Sequence, residues 1–552
     1  MARRQEVYTV RAKRADDGAL DAKYRKKPDE KAGKAEAKPA VKRAAVKGAP
    51  AKAAAKAKPN AEPEKKPAAR RAQSGAGKAK PNAEPEKKST ARRVQSSAAA
   101  KLKPVAETDK KPAARRKAEP KLSRRDARAQ EKARIAAHER RLALSRGGGF
   151  SVLVLTLLTV AFDVLGLLLC AVRGSDMQAL QLIVLMAPLA LFTALALPRF
   201  APVEPLLMAL TNFLCGVSVV ILYTVSPDRG AKQAVFYAAG IAVMLVMSAI
   251  VSRLKKWRGL TALAMVLGVG ALILPLAFGE WSYGAKNWVS LPLIGSFQPS
   301  EFVKLALVLV LAYSFSAHRT IWQMMPALLF AAACLGLLMI QRDLGTALIY
   351  YITTLVLFYA ACGNVPLTLI GLGGGVGAAV MGYRMFAHVK VRVAMWRNPW
   401  SDALDKGYQI IQALLAIGSG GLFGVGLGQG TPNKIPAYFN DFIFAVVCEQ
   451  LGMVFGVGVI AVYALLIVRS ISVCMRSRRS FDLLLGCGVA AMLGIQTFMI
   501  VAGVIKMIPL TGVTMPFLSY GGSSLISCMA MTGILHGVYA RSQNELEEDI
   551  LG

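Results

Sequence analysis

The sequence predicts an all-α polytopic membrane protein with about twelve transmembrane helices and a disordered, basic N-terminal tail. Hydrophobic residues make up 54% of the 552 residues, yet the formal net charge is +35. The two properties separate along the chain, because residues 1–150 hold 44 Lys and Arg against 17 Asp and Glu. The remainder is an apolar body with runs of about 20 residues, the length at which a helix spans a bilayer.

The N-terminal tail divides into two parts. Residues 1–122 are rich in Ala, Lys, Pro and Glu, and they repeat the string KAKPNAEPEKK at 56–66 and 78–88. Such a segment cannot bury enough apolar surface to offset its chain entropy, so it is predicted to be disordered. Residues 123–148 are predicted to form a basic juxtamembrane helix on anionic lipid. No folded reader module accompanies the positive charge, so no nucleic-acid partner is expected.

Twelve apolar runs are predicted to cross the membrane, at residues 151–172, 177–197, 203–224, 231–252, 259–278, 301–316, 321–340, 344–361, 365–386, 442–468, 481–506 and 520–540. With twelve spans, the basic segments 252–258 and 469–479 fall on the same side as the tail. Basic loops mark the cytoplasmic side, so both termini, including a C-terminal tail at 542–552, are predicted to be cytoplasmic. The outer side then receives residues 279–300, 341–343, 387–440 and 507–519.

Charged residues on the outer side are the candidates for chemistry. In the run GAKNWVSLPLIGSFQPSEFVK, residues 284–304, Ser300 is predicted to cap a helix with Glu301 in its first turn. Glu301 and Lys304 are three residues apart and share a helix face. They form either an ordinary interfacial ion pair or an intramembrane pair facing a cavity, where ionisable groups usually mark function.

Three further outer features stand out. Asp343 in QRDLGT and Asp441 in NDFIFA each begin a membrane helix, as a cap or as a functional acid. The segment 387–440 is predicted to be one long loop, which is uncommon unless functional. Its glycine-rich run at 418–430 is no phosphate-binding Walker motif, and it is predicted to allow close backbone approach to a ligand or a re-entrant path. The Pro- and Gly-rich stretch 509–524 either lines a polar cavity or ends a helix.

Together these motifs resemble one family. The strings GAKNW, FQPSEFVKLALVL, QRDLGTAL, GYQIIQALLAIGSGGLFGVGLGQG, DFIFAVVCEQLG and IPLTGVTMPFLSYGGSS occur in the order of the SEDS family (FtsW, RodA and SpoVE), over about residues 203–540. The resemblance implies a ten-helix core at 201–541, so that the two helices in 149–200 are accessory.

The resemblance also implies a function. Members of the family are peptidoglycan glycosyltransferases that polymerise lipid II, an undecaprenyl-pyrophosphate-linked disaccharide peptide, at the outer face of the bacterial cytoplasmic membrane. Their implied partner is a class B penicillin-binding protein, which is a transpeptidase. The motifs are shared by septal FtsW-like and elongation RodA-like proteins, so the sequence leaves that distinction open.

The resemblance assigns site residues one by one. The family's essential aspartate in H-T-D-F-I-F falls on Asp441, although Phe439 and Asn440 replace the two residues before it. Glu301 and Lys304 match Q-P-[SA]-E-x-x-K without departure.

Two other motifs match with one departure each. Asp343 matches the acid of Q-P-D-L-G-T, with Arg342 in place of the proline. Gln496 matches the first position of Q-x-x-x-N, whereas Ile500 stands in place of the asparagine.

Glycosyl transfer needs a base for the acceptor hydroxyl, and Asp441 is the predicted base, with Lys304 and Glu301 as further catalytic residues. Lys304 is alternatively the ionic partner of Asp441. The lipid pyrophosphate leaving group needs positive charge, from Lys304, Arg392 or Lys286, or from a divalent cation such as Mg²⁺ or Mn²⁺. The predicted substrate-binding residues are Arg392, Asp343, Lys286, Gln409, Gln412, Ser519 and Ser523.

Two rival functions are weighed against the enzyme. A lipid II flippase suits the many spans and intramembrane charges equally well, but no clear inverted repeat is visible and one large loop lies on one side. A non-catalytic scaffold of the division or elongation machinery is the other rival. The presence of Glu301, Asp343 and Asp441 disfavours it.

Overall fold

The structure is a computed structural model that describes residues 149–174, 176–282, 285–291, 295–317 and 320–551. The predicted disordered tail at 1–122 and the predicted juxtamembrane helix at 123–148 lie outside the described residues.

The described chain is predominantly helical. Its α-helices are α1 (Gly149–Gly174), α2 (Met177–Leu191), α3 (Leu197–Phe200), α4 (Pro205–Val225), α5 (Pro227–Arg253), α6 (Arg258–Phe278), α7 (Pro299–Ala317), α8 (Ile321–Ile340), α9 (Leu344–Cys362), α10 (Val365–Met385), α11 (Ala387–Arg397), α12 (Tyr408–Gly420), α13 (Ile443–Cys474), α14 (Ser480–Val504) and α15 (Gly522–Leu551). A π-helical turn, Phe192–Ala196, joins α2 to α3, and short 3-10 helices occupy Pro399–Asp402 and Pro432–Lys434.

Twelve spans in the described part of the chain are long and apolar enough to cross a membrane, with α2 and α3 forming one of them. They coincide with the twelve predicted runs, so the predicted fold class is confirmed. The centre of the bundle is formed by α4 and α15, whose most apolar stretches are 89% and 83% buried. Helix α10 is only 6% buried over its most apolar stretch, so it lies at the outside of the bundle.

The segment between α6 and α7, predicted to be a loop, is instead a small antiparallel sheet. Strands β1 (Glu280–Ser282), β2 (Ala285–Leu291) and β3 (Gly295–Phe297) lie in that order, with Glu280 opposite Trp288 and Val289 opposite Phe297. The strands are short, and a sequence dominated by long apolar runs gives no clear alternating pattern that would predict them. Strand β2 packs against α6 and α7, which positions its side chains at this end of the bundle.

The segment 387–440, predicted to be one long loop, holds α11, α12 and both 3-10 helices. Helix α12 is amphipathic: Ile410, Ile411, Ala413 and Ala416 are buried on one face, and it packs against α13. The tertiary contact orders a segment whose glycines and polar residues predict a loop, because burying one apolar stripe offsets the cost of fixing the helix.

The glycine-rich run at 418–430 lies against a break in α13. The break is at Gly452, whose φ of 85° is not helical. Val425 N donates to Glu449 O at 2.9 Å, and Met453 N donates to Gly421 O at 2.9 Å. A Cβ added at Gly424 would stand 2.3 Å from Gln450 O. The glycines therefore allow the run to approach the backbone of α13 closely. The predicted approach to a ligand and the predicted re-entrant path both stay predictions.

The predicted grouping of the connecting segments onto two ends is also confirmed. At one end, Lys286 N donates to Gln341 O at 3.0 Å and Arg392 Nη1 donates to Thr511 O at 2.9 Å. At the opposite end, Arg541 joins Asp482 at 2.6 Å. Residues 542–551, predicted to be a separate tail, continue α15 instead. The assignment of the second end to the cytoplasm stays a prediction.

Candidate active site

The two charged residues of α7 form a buried pair. Lys304 Nζ lies 2.6 Å from Glu301 Oε2, and their side chains are 2% and 7% exposed. The predicted shared face is confirmed. The predicted cap at Ser300 is wrong, because α7 begins at Pro299 and the Ser300 hydroxyl has no hydrogen-bond partner. Proline favours the first helical position, so Pro299 was the signal that the helix begins before Ser300, with Gln298 at the cap position.

Two further side chains and one backbone carbonyl complete the network around the pair. Lys304 Nζ donates to Gln496 Oε1 on α14 at 2.9 Å, and Ser527 Oγ on α15 donates to Glu301 Oε2 at 2.9 Å. Gln496 Nε2 in turn donates to the carbonyl oxygen of Thr514 at 2.7 Å. Sequence reasoning missed Ser527 and Thr514, because no spacing rule connects hydroxyls on distant segments to a lysine on α7. Both buried charges are therefore compensated by neighbouring groups, as buried ions require.

Asp343 uses its carboxylate within the protein. It caps α9, accepting the Thr346 N–H at 3.2 Å, which confirms the capping interpretation. Its other oxygen accepts Asn287 Nδ2 on β2 at 2.9 Å and Gln298 Nε2 at 3.2 Å. The acid thus ties the sheet to the start of α9. A role in substrate binding stays a prediction.

Lys286 lies on the same strand, one residue before Asn287. Its Nζ donates to the Leu276 carbonyl at the end of α6, at 2.7 Å. The ammonium group is half-buried and lies at the site end of the bundle. Its predicted contact with the leaving group would need it to exchange this carbonyl for a phosphate oxygen.

Asp441 lies just before α13, but it does not cap the helix. The cap position is held by Phe442, and no side-chain hydrogen bond caps this end. The Asp441 carboxylate faces Arg392 of α11 across Gly512: a Cβ added at Gly512 would stand 3.6 Å from Asp441 Oδ2 and 3.4 Å from Arg392 Nη2. Gly512 has a φ of 73°. A side chain at this position would be strained and would enter the space between the two charged groups.

The electrostatics of this pair suit a proton acceptor. Burial raises the pKa of Asp441 from 3.8 to about 6, and the Arg392 guanidinium opposes part of that rise. Burial in turn lowers the pKa of Arg392, which Asp441 and Asp343 partly offset. A carboxylate with a pKa near 6 is a stronger base than an exposed one and is still largely ionised at neutral pH.

The residues before Asp441 are clamped from two sides. The Arg229 guanidinium stacks 4.0 Å from the centre of the Phe439 ring and donates to the Tyr438 hydroxyl at 2.7 Å. Tyr520 N donates to Phe439 O at 2.8 Å, and Ser519 Oγ donates to the Asn440 carbonyl at 2.6 Å. The cation–π contact gives Phe439, one of the two departures from the family motif, a defined place in the site.

The remaining predicted substrate-binding residues differ in their surroundings. Ser519 is buried, and its hydroxyl is used by the Asn440 carbonyl and by Met515 N. Gln409 and Gln412 of α12 and Ser523 of α15 are half-buried. None of these last three side chains is hydrogen-bonded to another described residue, so their polar groups are available to a ligand.

The segment 505–521, between α14 and α15, joins these groups. The Thr514 carbonyl accepts a hydrogen bond from Gln496, and the Thr511 carbonyl accepts one from Arg392. The Ser519 hydroxyl donates to the Asn440 carbonyl. The structure therefore pairs Lys304 with Glu301 rather than with Asp441. Lys304 is connected to the surroundings of Asp441 through Gln496 and this segment. The stretch 509–524 supplies polar contacts to these groups, and its lining of a polar cavity stays a prediction.

The site offers few side chains that could bind a metal ion. Within the described residues, no group of three or more His, Cys, Asp or Glu side chains is arranged to hold a metal ion. A divalent cation such as Mg²⁺ or Mn²⁺ at Asp441 would therefore depend on ligands from the substrate. Such a cation stays a prediction.

The chain is similar in sequence to known proteins over the region that contains this site. Residues 205–544 match the family model FTSW_RODA_SPOVE, described as "Cell cycle protein". The chain is 33% identical over 375 residues to "Peptidoglycan glycosyltransferase RodA" of Mycobacterium tuberculosis (strain ATCC 25618 / H37Rv), covering 62% of this chain and 79% of that protein. It is 33% identical over 358 residues to "Stage V sporulation protein E" of Bacillus subtilis (strain 168), covering 60% and 96%.

A solved structure agrees with the sequence relatives. The protein described in "Structural coordination of polymerization and crosslinking by a peptidoglycan synthase complex" superposes with a TM-score of 0.51 at 26% identity, covering 61% of this chain and 97% of that one. The matched region contains the two charged pairs, the clamped segment before Asp441 and the joining segment 505–521. The chain belongs to the FtsW/RodA/SpoVE family, the SEDS family that its motifs resemble.

Proposed function

We propose that this chain is a peptidoglycan glycosyltransferase that polymerises lipid II at the outer face of the bacterial cytoplasmic membrane. Relatives that are 33% identical over 375 residues carry the name peptidoglycan glycosyltransferase. The observation that carries the proposal is Asp441: a carboxylate at one end of a membrane bundle, beside a cation, with a pKa of about 6.

The reaction follows from the placement of these groups. The acceptor sugar's 4-hydroxyl attacks the anomeric carbon of the donor, and its proton passes to Asp441. The bond from the anomeric carbon to the lipid pyrophosphate breaks, and the pyrophosphate leaves with the electron pair. Arg392, held by the Thr511 carbonyl beside Asp441, supplies positive charge to the leaving group. Gln409, Gln412 and Ser523 are the polar groups that remain free to orient the sugars.

Lys304 and Glu301 act on the reaction through the protein. Their hydrogen bonds are made to each other and to Gln496 and Ser527. We assign them the support of segment 505–521, which holds Arg392 and the backbone before Asp441. A lysine so enclosed cannot reach a substrate without breaking its buried pair.

The membrane location and the expected partner also fit this function. Undecaprenyl tails need access from the bilayer, which a site at the end of membrane helices offers. We propose that both termini lie in the cytoplasm, because basic segments mark the cytoplasmic side of a membrane protein. A class B penicillin-binding protein is the proposed partner. In support, the similar solved structure is described as a complex that couples polymerization to crosslinking.

The test is polymerisation by the purified full chain with its transpeptidase partner and labelled lipid II, read as glycan strands on a gel. We expect Asp441→Asn to lower the rate by about 10²- to 10⁴-fold, the contribution of a general base. Asp405→Asn is the matched control, because Asp405 is an exposed aspartate in the same outer segment. Full activity in Asp441→Asn would remove the base assignment.

The same assay separates the rival functions. A flippase or a scaffold would give no glycan strands with purified wild-type chain and partner. Strands that depend on Asp441 would exclude both as the main activity.

A further inference from the structure

The accessory helices contact the glycine-rich run at the site end of the bundle. The family match begins at residue 205, so α1 and α2 lie outside it. At the last turn of α1, Arg173 Nη1 donates to the carbonyl oxygen of Leu427 at 2.6 Å. Leu427 lies within the glycine-rich run, and its side chain would stand 3.4 Å from a Cβ added at Gly166 of α1. The accessory helix thus holds this run by a charged hydrogen bond and by apolar packing.

The glycine-rich run depends on its neighbours for order. Gly424, Gly426, Gly428 and Gly430 all have positive φ, so the run cannot form a regular helix or strand. Glycine also has the largest conformational freedom to lose on ordering. The run is fixed instead by contacts to side chains and backbone of other elements. Gly428 N donates to Gln450 Oε1 at 3.1 Å, an atom that also accepts Thr224 Oγ1 at 3.0 Å.

The run also adjoins the segment that carries the catalytic acid. Thr431 N donates to Glu449 Oε1 at 2.9 Å, immediately after the last glycine. From Thr431 the chain passes through a 3-10 helix and the buried Ile435 to Asp441. On its other side the run continues from α12, which bears Gln409 and Gln412. A displacement at Leu427 would therefore act on both flanking parts of the site.

The accessory hairpin is fixed at the same end. Asp176 caps α2 by accepting Gln178 N at 2.9 Å, and it also accepts the Tyr223 hydroxyl at the end of α4. In the membrane, Phe162 of α1 stacks on Phe455 of α13 at 5.5 Å between ring centres, just beyond the break. The hairpin that carries Arg173 is therefore fixed by contacts to α4 and to α13.

We propose that the accessory hairpin α1–α2 is a positioning element of the active site, with Arg173 holding the glycine-rich run, and thereby its flanking segments, in the arrangement that binds substrate. The proposal rests on the glycosyltransferase function for its kinetic part. Arg173 contacts backbone and no reacting group, so it is a positioning residue. When only a fraction of molecules holds the binding arrangement, the apparent affinity falls by that fraction.

The experiment compares Arg173→Ala and Arg173→Lys with wild type in the full chain, using lipid II polymerisation with the transpeptidase partner and hydrogen exchange of amides 425–431. In Arg173→Ala we expect KM for lipid II to rise by about five-fold or more with kcat within about two-fold, and exchange of these amides to quicken. Arg173→Lys keeps a charged donor and should recover most of both. Arg199→Ala is the control, because Arg199 donates to Leu195 O within its own span at 2.5 Å.

Two outcomes would overturn the inference. One is an Arg173→Ala chain whose KM and exchange match wild type. The other is a fall in kcat at constant KM in both alanine variants, which would indicate loss of folded protein alone. If wild type itself made no polymer, the proposed function would fail, and the exchange measurement would still decide whether Arg173 orders the run.

Discussion

Two charged clusters lie at the same end of the bundle and are built in opposite ways. In the closed cluster, Lys304, Glu301, Gln496 and Ser527 contact one another at 2.6 to 2.9 Å, and both charged side chains are buried. In the open cluster, made of Asp441 and Arg392, the two groups face each other across a glycine. Within the described part of the chain, the Asp441 carboxylate accepts no hydrogen bond.

The difference separates support from chemistry. A carboxylate whose neighbours already donate to it is a poor proton acceptor, because the transferred proton would displace an existing partner. Glu301 is in that position, and Asp441 is not. The segment 505–521 connects the clusters, so the closed cluster fixes the distances within the open one. The family motifs name acids of both kinds alike, and only their surroundings distinguish the roles.

The largest expected effect comes from breaking the closed cluster. Lys304→Met leaves Glu301 as an uncompensated buried charge, which should lower the free energy of unfolding by about 3–5 kcal/mol and abolish polymerisation. The double variant Glu301→Gln/Lys304→Met removes both charges and should recover much of the stability. Thermal unfolding in detergent and the strand assay measure the two effects. Equal stability of Lys304→Met and wild type would show that the cluster is not the support described here.

An intermediate effect is expected in the open cluster. Arg392→Gln removes the cation that lowers the pKa of Asp441, so the acidic limb of the pH–rate profile should move to higher pH. It also loses a charged hydrogen bond to the Thr511 carbonyl, and the rate at neutral pH should fall about ten-fold or more. Lys406→Gln, at an exposed lysine in the same outer segment, is the control. An unshifted limb would indicate that Arg392 does not act on Asp441.

The smallest effect is expected at the clamp before Asp441. Arg229→Gln loses the stacking on Phe439, worth about 0.5–2 kcal/mol, and should lower the polymerisation rate by a few-fold. Lys232→Gln is its control, since Lys232 lies one turn further along α5 and is exposed. If both variants kept the wild-type rate, Phe439 would need no clamp to hold the acid in place.

The membrane architecture was predictable from the sequence because a bilayer imposes length and composition on each span. All twelve runs became helices, and the segments assigned to one side came together at one end. The cap of α9 at Asp343 was predictable for a similar reason, since it depends on local sequence alone. By contrast, Ser300 failed as a cap because Pro299, not Ser300, opens the helix.

The rest depended on contacts between distant segments. The sheet at 280–297 and helix α12 are short elements ordered by tertiary packing, which propensity does not contain. The partners of Lys304 come from α7, α14 and α15, so no spacing in the sequence identifies them. The hold of Arg173 on Leu427 joins positions 254 residues apart, in a helix that the family motifs do not include.

The most direct test of the central claim, that Asp441 is the reacting carboxylate, is the pH dependence of kcat/KM for lipid II polymerisation by the wild-type chain. Because the base must be ionised, kcat/KM should rise with pH, with an apparent pKa of about 6, and then level off. A rate that is constant from about pH 5 to about pH 8 would contradict the claim, since the raised pKa of Asp441 would then have no part in the reaction.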